Sequence, residues 1–324
     1  MITINALTGL LHSDTIHREY SPIGAKPALL LDLTTATGDD DQLTNQLSKI
    51  PCPIIGIGTT DSNIAAACDT LAASRKEAES ILTRIRSAPI AALTLTQLLR
   101  ATEPLSREHA LTMESMAYAT LQGGPEFARW LSTRKTTTPT KINDTAVRME
   151  RNSNTLIIEI NRPETRNAIS TDVRDGLIEA LQLADADPSI THIDLRGAGK
   201  CFSTGGELAE FGLTENIALA HVHRSIQLPA HWMVNCSDRI TAHLHSACIG
   251  AGIEIPAFAS TVIAKNNSFF QLPELSMGLI PGAGGCVSIP RRIGRQRTAW
   301  LVLSGRKINA ATALSWGLID DIIS

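Results

Sequence analysis

Two glutamates set among glycine-rich turns are the residues of this chain whose types and spacing best suit chemistry. Glu254 lies in an apolar segment directly after the turn Gly250-Ala-Gly252, and Glu274 follows Pro273 twenty positions later, ahead of a Gly/Pro-rich loop. A carboxylate placed where water is scarce has a raised pKa, which suits a general acid or base. Two such acids in one pocket can act as a pair, one donating a proton while the other accepts one.

A second pair of glycines, Gly205 and Gly206, follows a predicted strand and a loop of small residues. These glycines leave a backbone N–H unobstructed, and the turn that begins at Gly250 does the same. Two N–H groups that converge on one point form an oxyanion hole, which stabilises an enolate or tetrahedral oxygen by several kcal/mol. Each turn alone is equally typical of a simple tight turn, and only their combination with the two acids favours a catalytic site.

Histidines in the second half of the chain raise the question of a metal site, because neutral imidazole is a common ligand. They are His221, His223, His231, His243 and His245. No carboxylate or cysteine completes a recognisable ligand spacing around them, so we predict that they hold no metal.

The composition is that of an ordinary globular protein, since 43% of the 324 residues are hydrophobic and 19% are charged. The net charge of -3 argues against a nucleic-acid-binding protein, which would usually show a basic face. Six scattered cysteines without a C-x-x-C pair indicate reduced thiols. The N-terminal residues lack the pattern of a signal peptide, and we therefore predict a cytoplasmic protein.

One nearly uncharged stretch, residues 246–264, is long enough to cross a bilayer. It contains Glu254 and Pro256 and has no basic residues flanking it. We therefore predict a buried core helix here and no insertion into a membrane.

The elements that must position these residues belong to an alternating α/β pattern. Predicted strands at 155–160, 190–195 and 239–244 alternate with an amphipathic helix at 173–186, which Ser170 caps. Before them, a Thr-rich segment at 135–141 is typical of a linker.

The first part of the chain has a pattern of its own. We predict strands at 28–33 and 54–57 and a short helix at 41–48. Residues 75–134 are almost wholly helical in pattern, with interruptions at Pro89, at Pro104 and at 123–125.

Several linked motifs resemble, in order and spacing, those of the crotonase (enoyl-CoA hydratase/isomerase) superfamily. They lie at 161–168, 202–207, 250–254, 272–274, 278–285 and 304–320, so the likeness covers about residues 150–322. The resemblance implies an α/β fold built as a spiral of ββα units. It also implies an acyl-CoA thioester as substrate, no cofactor besides the coenzyme A of that substrate, and a homotrimer or hexamer.

The resemblance assigns roles to particular residues. Glu254 and Glu274 match the two acids of the hydratases, and the N–H groups of Gly206 and Ala251 would hold the thioester oxygen. The positions implied for substrate binding are Asn167, Ala168, Ser203, Thr204, Gly205, Gly250, Pro281 and Gly282. Nearby cations that are candidates for phosphate contacts, although each is also typical of a solvated surface charge, are Arg162, Arg166 and Lys200.

Two residues depart from the family's usual pattern. Ala251 stands where glycine is frequent, which narrows the space beside the thioester while keeping the N–H. Position 207 is Glu where Asp is usual. Neither change removes a catalytic group, and both leave the identity of the acyl group open.

The resemblance also suggests two parts of the chain, 1–140 and 145–324. Family members continue for several helices beyond the segment that ends this chain at Ser324, and residues 75–134 are similar to those helices. We therefore predict that 1–140 is a degenerate crotonase-like half, inactive by itself, whose helices at 75–134 cap the catalytic core at 145–324.

We predict a hydratase-like lyase that adds water to a 2,3-enoyl-CoA. Other readings remain open at this point. They are enoyl-CoA isomerisation, other acyl-CoA enolate chemistry such as that of a hydrolase or a cofactor-free oxygenase, and a non-catalytic acyl-CoA-binding subunit.

Overall fold

The structure is a computed structural model of the chain, and it describes residues 1–11, 13, 15–34, 41–58, 62–134, 144–214 and 216–324. The predicted linker at 135–141 lies outside these residues. No helix in the described ranges is both long enough and apolar enough to cross a membrane.

Residues 1–72 form a small unit around a four-stranded parallel sheet. Its strands, in chain order and in spatial order alike, are β1 (Ile2–Thr3), β2 (Leu29–Asp32), β3 (Ile54–Ile57) and β4 (Thr70–Ala72). Its helices are α1 (Ile4–Leu11), α2 (Ile16–Glu19), α3 (Asp41–Leu47) and α4 (Asn63–Ala67). The predictions of β2, β3 and α3 are confirmed. The strands are aliphatic runs because a parallel sheet is covered on its faces.

Four consecutive helices follow the small unit. They are α5 (Arg75–Ser87), α6 (Pro89–Thr102), α7 (Arg107–Gln122) and α8 (Pro125–Thr133). Proline starts α6 and α8, where its missing N–H costs no helical hydrogen bond. The Ser106 side chain caps α7 by accepting the N–H of His109. The predicted helical region and its interruptions are confirmed.

The second part of the chain contains nine strands and six helices in its described ranges. The strands are β5 (Val147–Asn152), β6 (Thr155–Ile160), β7 (His192–Gly197), β8 (Ile240–Leu244), β9 (Ala247–Ile249), β10 (Thr261–Lys265), β11 (Phe269–Gln271), β12 (Ile308–Asn309) and β13 (Asp321–Ile323). The helices are α9 (Thr171–Ala186), α10 (Ile217–Ile226), α11 (Pro229–Cys236), α12 (Ala251–Glu254), α13 (Gly285–Ser304, broken at Gly294) and α14 (Ala310–Trp316).

The strands of this part form a spiral with two sheets. The larger sheet has the order β13-β10-β8-β7-β6-β5 and is parallel except for the β5–β6 pair. The smaller sheet has the order β12-β11-β9, and Ser203 adds a parallel bridge to Cys248 at its open side. Each turn of the spiral gives one strand to the larger sheet and the next to the smaller one, as β8 and β9 do and β10 and β11 repeat.

The prediction of one buried helix over residues 246–264 is wrong in its secondary structure. The stretch is buried, but it holds β9, α12, a 3-10 turn at Pro256–Phe258 and β10. Gly250 has a φ of 52°, which ends β9 by a turn that a side chain would strain, and Pro256 cannot continue α12. Residues 246–264 are nearly uncharged because they are buried from every side. Their lack of charge does not predict a single long helix.

The helices α5 to α8 share one hydrophobic core with the second part of the chain, whereas much of the N-terminal sheet packs around a separate core. Both α6 and α7 pack against α13. The fully buried Asp69 joins the pieces: its carboxylate accepts hydrogen bonds from Arg100 of α6 at 2.8 and 2.5 Å and from Arg295 of α13 at 3.3 Å. It also accepts the N–H of Ile54 at 2.8 Å.

We expect Asp69→Asn to lower the free energy of unfolding by about 3 to 5 kcal/mol, because the largely buried Arg100 loses its carboxylate and Arg295 keeps only the exposed Glu103 at 3.6 Å. Urea unfolding followed by circular dichroism measures the change. Asp187→Asn, which removes an exposed partner of Arg151, is the matched control and should change stability little. Equal effects of the two substitutions would contradict the role given to Asp69.

Candidate active site

The site lies where three neighbouring extended segments of the smaller sheet end. Ser203, Ile249 of β9 and Gln271 of β11 lead into loops that carry Gly206, Ala251 and Glu274, respectively. Because these segments are parallel, their carboxyl ends meet at one edge of the sheet, which is the usual place for a site in α/β architecture. The spiral thus brings together residues that are far apart in the sequence.

Glu254 is buried, with an exposure of 2%, at the end of α12. Its Oε2 accepts the N–H of Ala283 at 2.7 Å and that of Gly285 at 3.0 Å. Burial raises the pKa of this carboxyl to about 7, while the N–H donors of residues 282, 283 and 285 oppose the rise. At neutral pH it can therefore both accept and release a proton.

Glu274 is also buried, but it lacks comparable donors. Its Oε2 has no hydrogen-bond partner among the described residues. Burial, followed by the negative charge of Glu254, raises the pKa of Glu274 well above its usual range. Of the two acids, Glu254 is the better placed to hold a negative charge and Glu274 to hold a proton.

Gly250 is the point on which the two acids converge. A Cβ added to this residue would lie 2.8 Å from Oε1 of Glu274 and 3.8 Å from Oε1 of Glu254. Its φ of 52° also favours glycine. A side chain here would therefore be strained and would fill the space between the carboxylates.

The peptide groups of the predicted oxyanion hole lie next to each other. A Cβ on Gly205 would lie 2.7 Å from the carbonyl oxygen of Ile249 and 3.7 Å from the nitrogen of Ala251. Within the described part of the chain, neither the N–H of Gly206 nor that of Ala251 donates to an acceptor. Both groups line the same cavity as the two glutamates, and both are free to donate to a ligand.

The cavity has a volume of about 410 Å³ and is mostly apolar in its lining. The predicted site residues that line it are Glu254, Glu274, Gly206, Ala251, Thr204, Gly205, Gly250 and Gly282. Two aromatic residues of the N-terminal helices, Tyr118 of α7 and Trp130 of α8, complete the wall. The helices therefore cover the site within the same chain.

Tyr118 and Trp130 are each fixed by contacts with neighbouring side chains. The Arg224 guanidinium lies 4.6 Å from the centre of the Tyr118 ring, and its Nε donates to the Ser115 hydroxyl at 3.3 Å. Trp130 stacks on Phe127 and meets the ring edge of Phe211. These contacts fix the shape of the cavity on the side of the helices.

A third buried carboxylate, Glu114 of α7, approaches the site from the N-terminal helices. It has an exposure of 1% and accepts the N–H of Gly284 at 2.7 Å and that of Cys286 at 2.8 Å. Burial, followed by the charge of Glu254, raises its pKa well above the usual range. No sequence motif predicted Glu114 as a site residue. The available signal was an acid on the core-facing side of α7, in line with Ala110 and Leu111.

Two of the residues predicted to bind substrate have side chains committed to the fold. The fully buried Asn167 side chain donates to three carbonyl groups, those of Ala198, Cys201 and Phe202, at 2.8 to 3.0 Å. The Ser203 hydroxyl donates to the Asn167 carbonyl at 2.7 Å. Contact of either residue with a ligand would therefore come from its backbone.

Ala168 and Pro281 are buried beside the site without lining the cavity. Of the three candidate phosphate contacts, Arg162 is buried and donates to the carbonyl groups of Asn161 and Asp144. Arg166 and Lys200 are exposed. In the ranges that the structure describes, no three His, Cys, Asp or Glu side chains come together as metal ligands would.

Comparison with known proteins shows the family to which this chain belongs. Residues 150–324 match the profile of the family described as enoyl-CoA hydratase/isomerase. The match spans more than half of the chain, and the chain therefore belongs to that family. The predicted crotonase fold is confirmed.

Relatives and solved structures show the same likeness. The chain is 30% identical over 176 residues to the 2,3-dehydroadipyl-CoA hydratase of Escherichia coli, covering 54% of this chain and 68% of that protein. It is 29% identical over 174 residues to the mitochondrial enoyl-CoA hydratase of Pongo abelii, covering 53% of this chain and 59% of that protein. The crystal structure of the enoyl-CoA hydratase from Thermoplasma volcanium is similar with a TM-score of 0.50 and 30% identity, over 56% of this chain and 72% of that one. An enoyl-CoA hydratase/isomerase from Marinobacter aquaeolei gives a TM-score of 0.51 at 26% identity, over 55% and 70%.

Burial of Glu254 predicts how stability depends on pH. Its pKa is about 4.3 in an unfolded chain and about 7 here, so the folded protein binds this proton more tightly. The free energy of unfolding should therefore fall as pH rises through this window, and Glu254→Gln should flatten the decline. Urea unfolding of both proteins at several pH values tests this, and parallel curves would contradict a raised pKa of the buried Glu254.

Proposed function

We propose that this chain is an enoyl-CoA hydratase-like lyase that adds water to the 2,3-double bond of an enoyl-CoA thioester. The observation that carries the proposal is the pair of buried carboxylates, whose oxygens both lie within 4 Å of one point at Gly250, in a cavity that also holds two unengaged backbone N–H groups. The printed names of the E. coli and Pongo abelii relatives as hydratases support it.

The roles of the two acids follow from their hydrogen-bond partners. Glu254, which accepts two N–H groups, acts as the carboxylate base and takes a proton from water. The water oxygen attacks C3, and the electrons of the double bond move onto the thioester oxygen. The N–H groups of Gly206 and Ala251 stabilise the resulting enolate. Glu274 donates its proton to C2, and proton exchange with solvent then restores both acids.

The remaining assignments of this proposal come from the family. The substrate is an acyl-CoA, no cofactor is needed besides the coenzyme A that it carries, and the working form is a homo-oligomer. The apolar lining, with Leu228, Ile255 and Ile280 among its residues, suits a hydrocarbon acyl group.

Hydration of crotonyl-CoA, followed by loss of the enoyl-thioester absorbance, tests the reaction. We expect Glu254→Gln and Glu274→Gln each to lower the rate at least about a hundredfold while coenzyme A binding persists, as loss of a general acid or base should. Near-normal turnover in either variant would remove the two-acid mechanism.

Two further measurements distinguish a hydratase from an isomerase and from a non-catalytic subunit. Activity on a 3,4-enoyl-CoA in place of crotonyl-CoA would identify an isomerase, because that reaction moves one proton between carbons without adding water. Binding of coenzyme A without any turnover would favour a non-catalytic acyl-CoA-binding subunit.

The pH dependence of kcat/KM should be bell-shaped. Its acidic limb should lie near pH 7, where Glu254 loses its proton, and its alkaline limb should report Glu274, whose pKa is raised well above its usual range. Steady-state kinetics across this range measure both limbs, and a profile that falls steadily from pH 5 upward would contradict these roles.

A further inference from the structure

The loop whose amides bind the Glu254 carboxylate also binds a second carboxylate, that of Glu114 in the N-terminal helices. Glu254 accepts hydrogen bonds from the N–H groups of Ala283 and Gly285. Glu114 accepts hydrogen bonds from those of Gly284 and Cys286. Four successive amides are thus shared alternately between two carboxylates. The bonds of Glu114 join positions 170 and 172 residues apart in the sequence.

The alternation couples the two carboxylates mechanically. Each peptide plane is rigid and shares a Cα atom with the next, so a rotation that frees the amide of Gly284 or Cys286 also changes the dihedral angles beside the planes that carry the amides of Ala283 and Gly285. Space at the loop is also limited, because a Cβ on Gly285 would lie 2.5 Å from Cγ of Glu254. The loop therefore has little freedom to relax while Glu254 keeps its place.

We propose that Glu114 is a positioning residue of the active site, which fixes the amides of residues 283–286 so that they hold the Glu254 carboxylate in its working orientation. The proposal rests on the proposed role of Glu254 as the base. It gives the N-terminal helices a part in catalysis besides that of covering the cavity.

Glu126 of α8 provides a matched comparison within the same helices. It is also buried, with an exposure of 5%, and it also accepts two backbone N–H groups at the start of a helix, those of Ile90 and Ala91 at 2.8 and 2.9 Å. Its partners belong to α6, and neither of them donates a hydrogen bond to Glu254. Substitutions at the two positions should therefore cost similar stability but differ at the active site.

Other ionisable groups surround the loop and must be considered in any pH measurement. Those that interact electrostatically with Glu254 or Glu114 are Glu274, Tyr118 of α7, Arg224 of α10 and Cys286 of α13. None of them is substituted in the variants compared below, and comparison of each variant with the wild type separates the effect of position 114 from that of position 126.

The test is Glu114→Gln. An amide has one acceptor oxygen, so one of the two N–H groups at Gly284 and Cys286 would face the NH₂ group and lose its partner. The loop then turns, and Glu254 loses donors that oppose the rise in its pKa. We expect the acidic limb of kcat/KM to move to higher pH by about half a unit or more, and kcat to fall about tenfold with a smaller change in KM.

Glu126→Gln is the control and should lower the melting temperature comparably while leaving the acidic limb where it is in the wild type. If the acidic limb of kcat/KM moved to lower pH in Glu114→Gln, Glu114 would act through its charge. That result would overturn the positioning role. An unchanged limb would overturn it as well, because Glu114 would then be a structural anchor like Glu126.

Hydrogen exchange of the amides at 283 and 285 gives a readout that needs no substrate. In Glu114→Gln these amides should exchange at least about tenfold faster than in Glu126→Gln, although their acceptor Glu254 is unchanged. Equal exchange in the two variants would contradict the coupling. A wild type without hydratase activity would instead refute the proposed function and leave this measurement valid.

Discussion

Four successive amides, those of residues 283–286, join the two parts of the chain at the candidate active site. They lie at the start of α13, where unpaired N–H groups and the helix dipole favour negative charge. Glu254 reaches them from the spiral core and Glu114 from the N-terminal helices. The same few atoms therefore orient a candidate base and dock one part of the chain on the other.

Three carboxylates gathered in a buried place would be unstable if all were charged. The structure separates the proton affinities of Glu254 and Glu274 by giving them different donors. Glu254 and Glu114 each accept two amides, whereas Oε2 of Glu274 has no partner in the described part of the chain. Desolvation raises the pKa of each, and mutual repulsion adds to the rise for Glu114 and Glu274. A pair of acids with distinct proton affinities is what proton transfer in two directions requires.

Both parts of the chain also contribute to the cavity, because each supplies a different part of its lining. The spiral supplies its polar floor, namely the two glutamates and the peptides of Gly206 and Ala251. The helices supply aromatic walls through Tyr118 and Trp130, which are held by Arg224 and Phe211. A wall built from another segment can change the shape of the ligand that fits while the two acids and the N–H groups of the spiral stay the same.

The local elements and the two candidate acids were predictable from the sequence. Turn glycines, capping serines and prolines act over a few residues, so the strands at 54–57 and 155–160, the helices of 75–134 and the pair Glu254 and Glu274 could be predicted from it. It did not determine the short elements of 246–264, because an uncharged run fits a buried helix and a strand-turn-strand equally well. Only the tertiary structure decided that Asn167 supports a loop with its side chain and that Glu114 lies on the amides of α13. Such contacts join residues far apart in the chain, and no local pattern encodes which distant amide a buried side chain will meet.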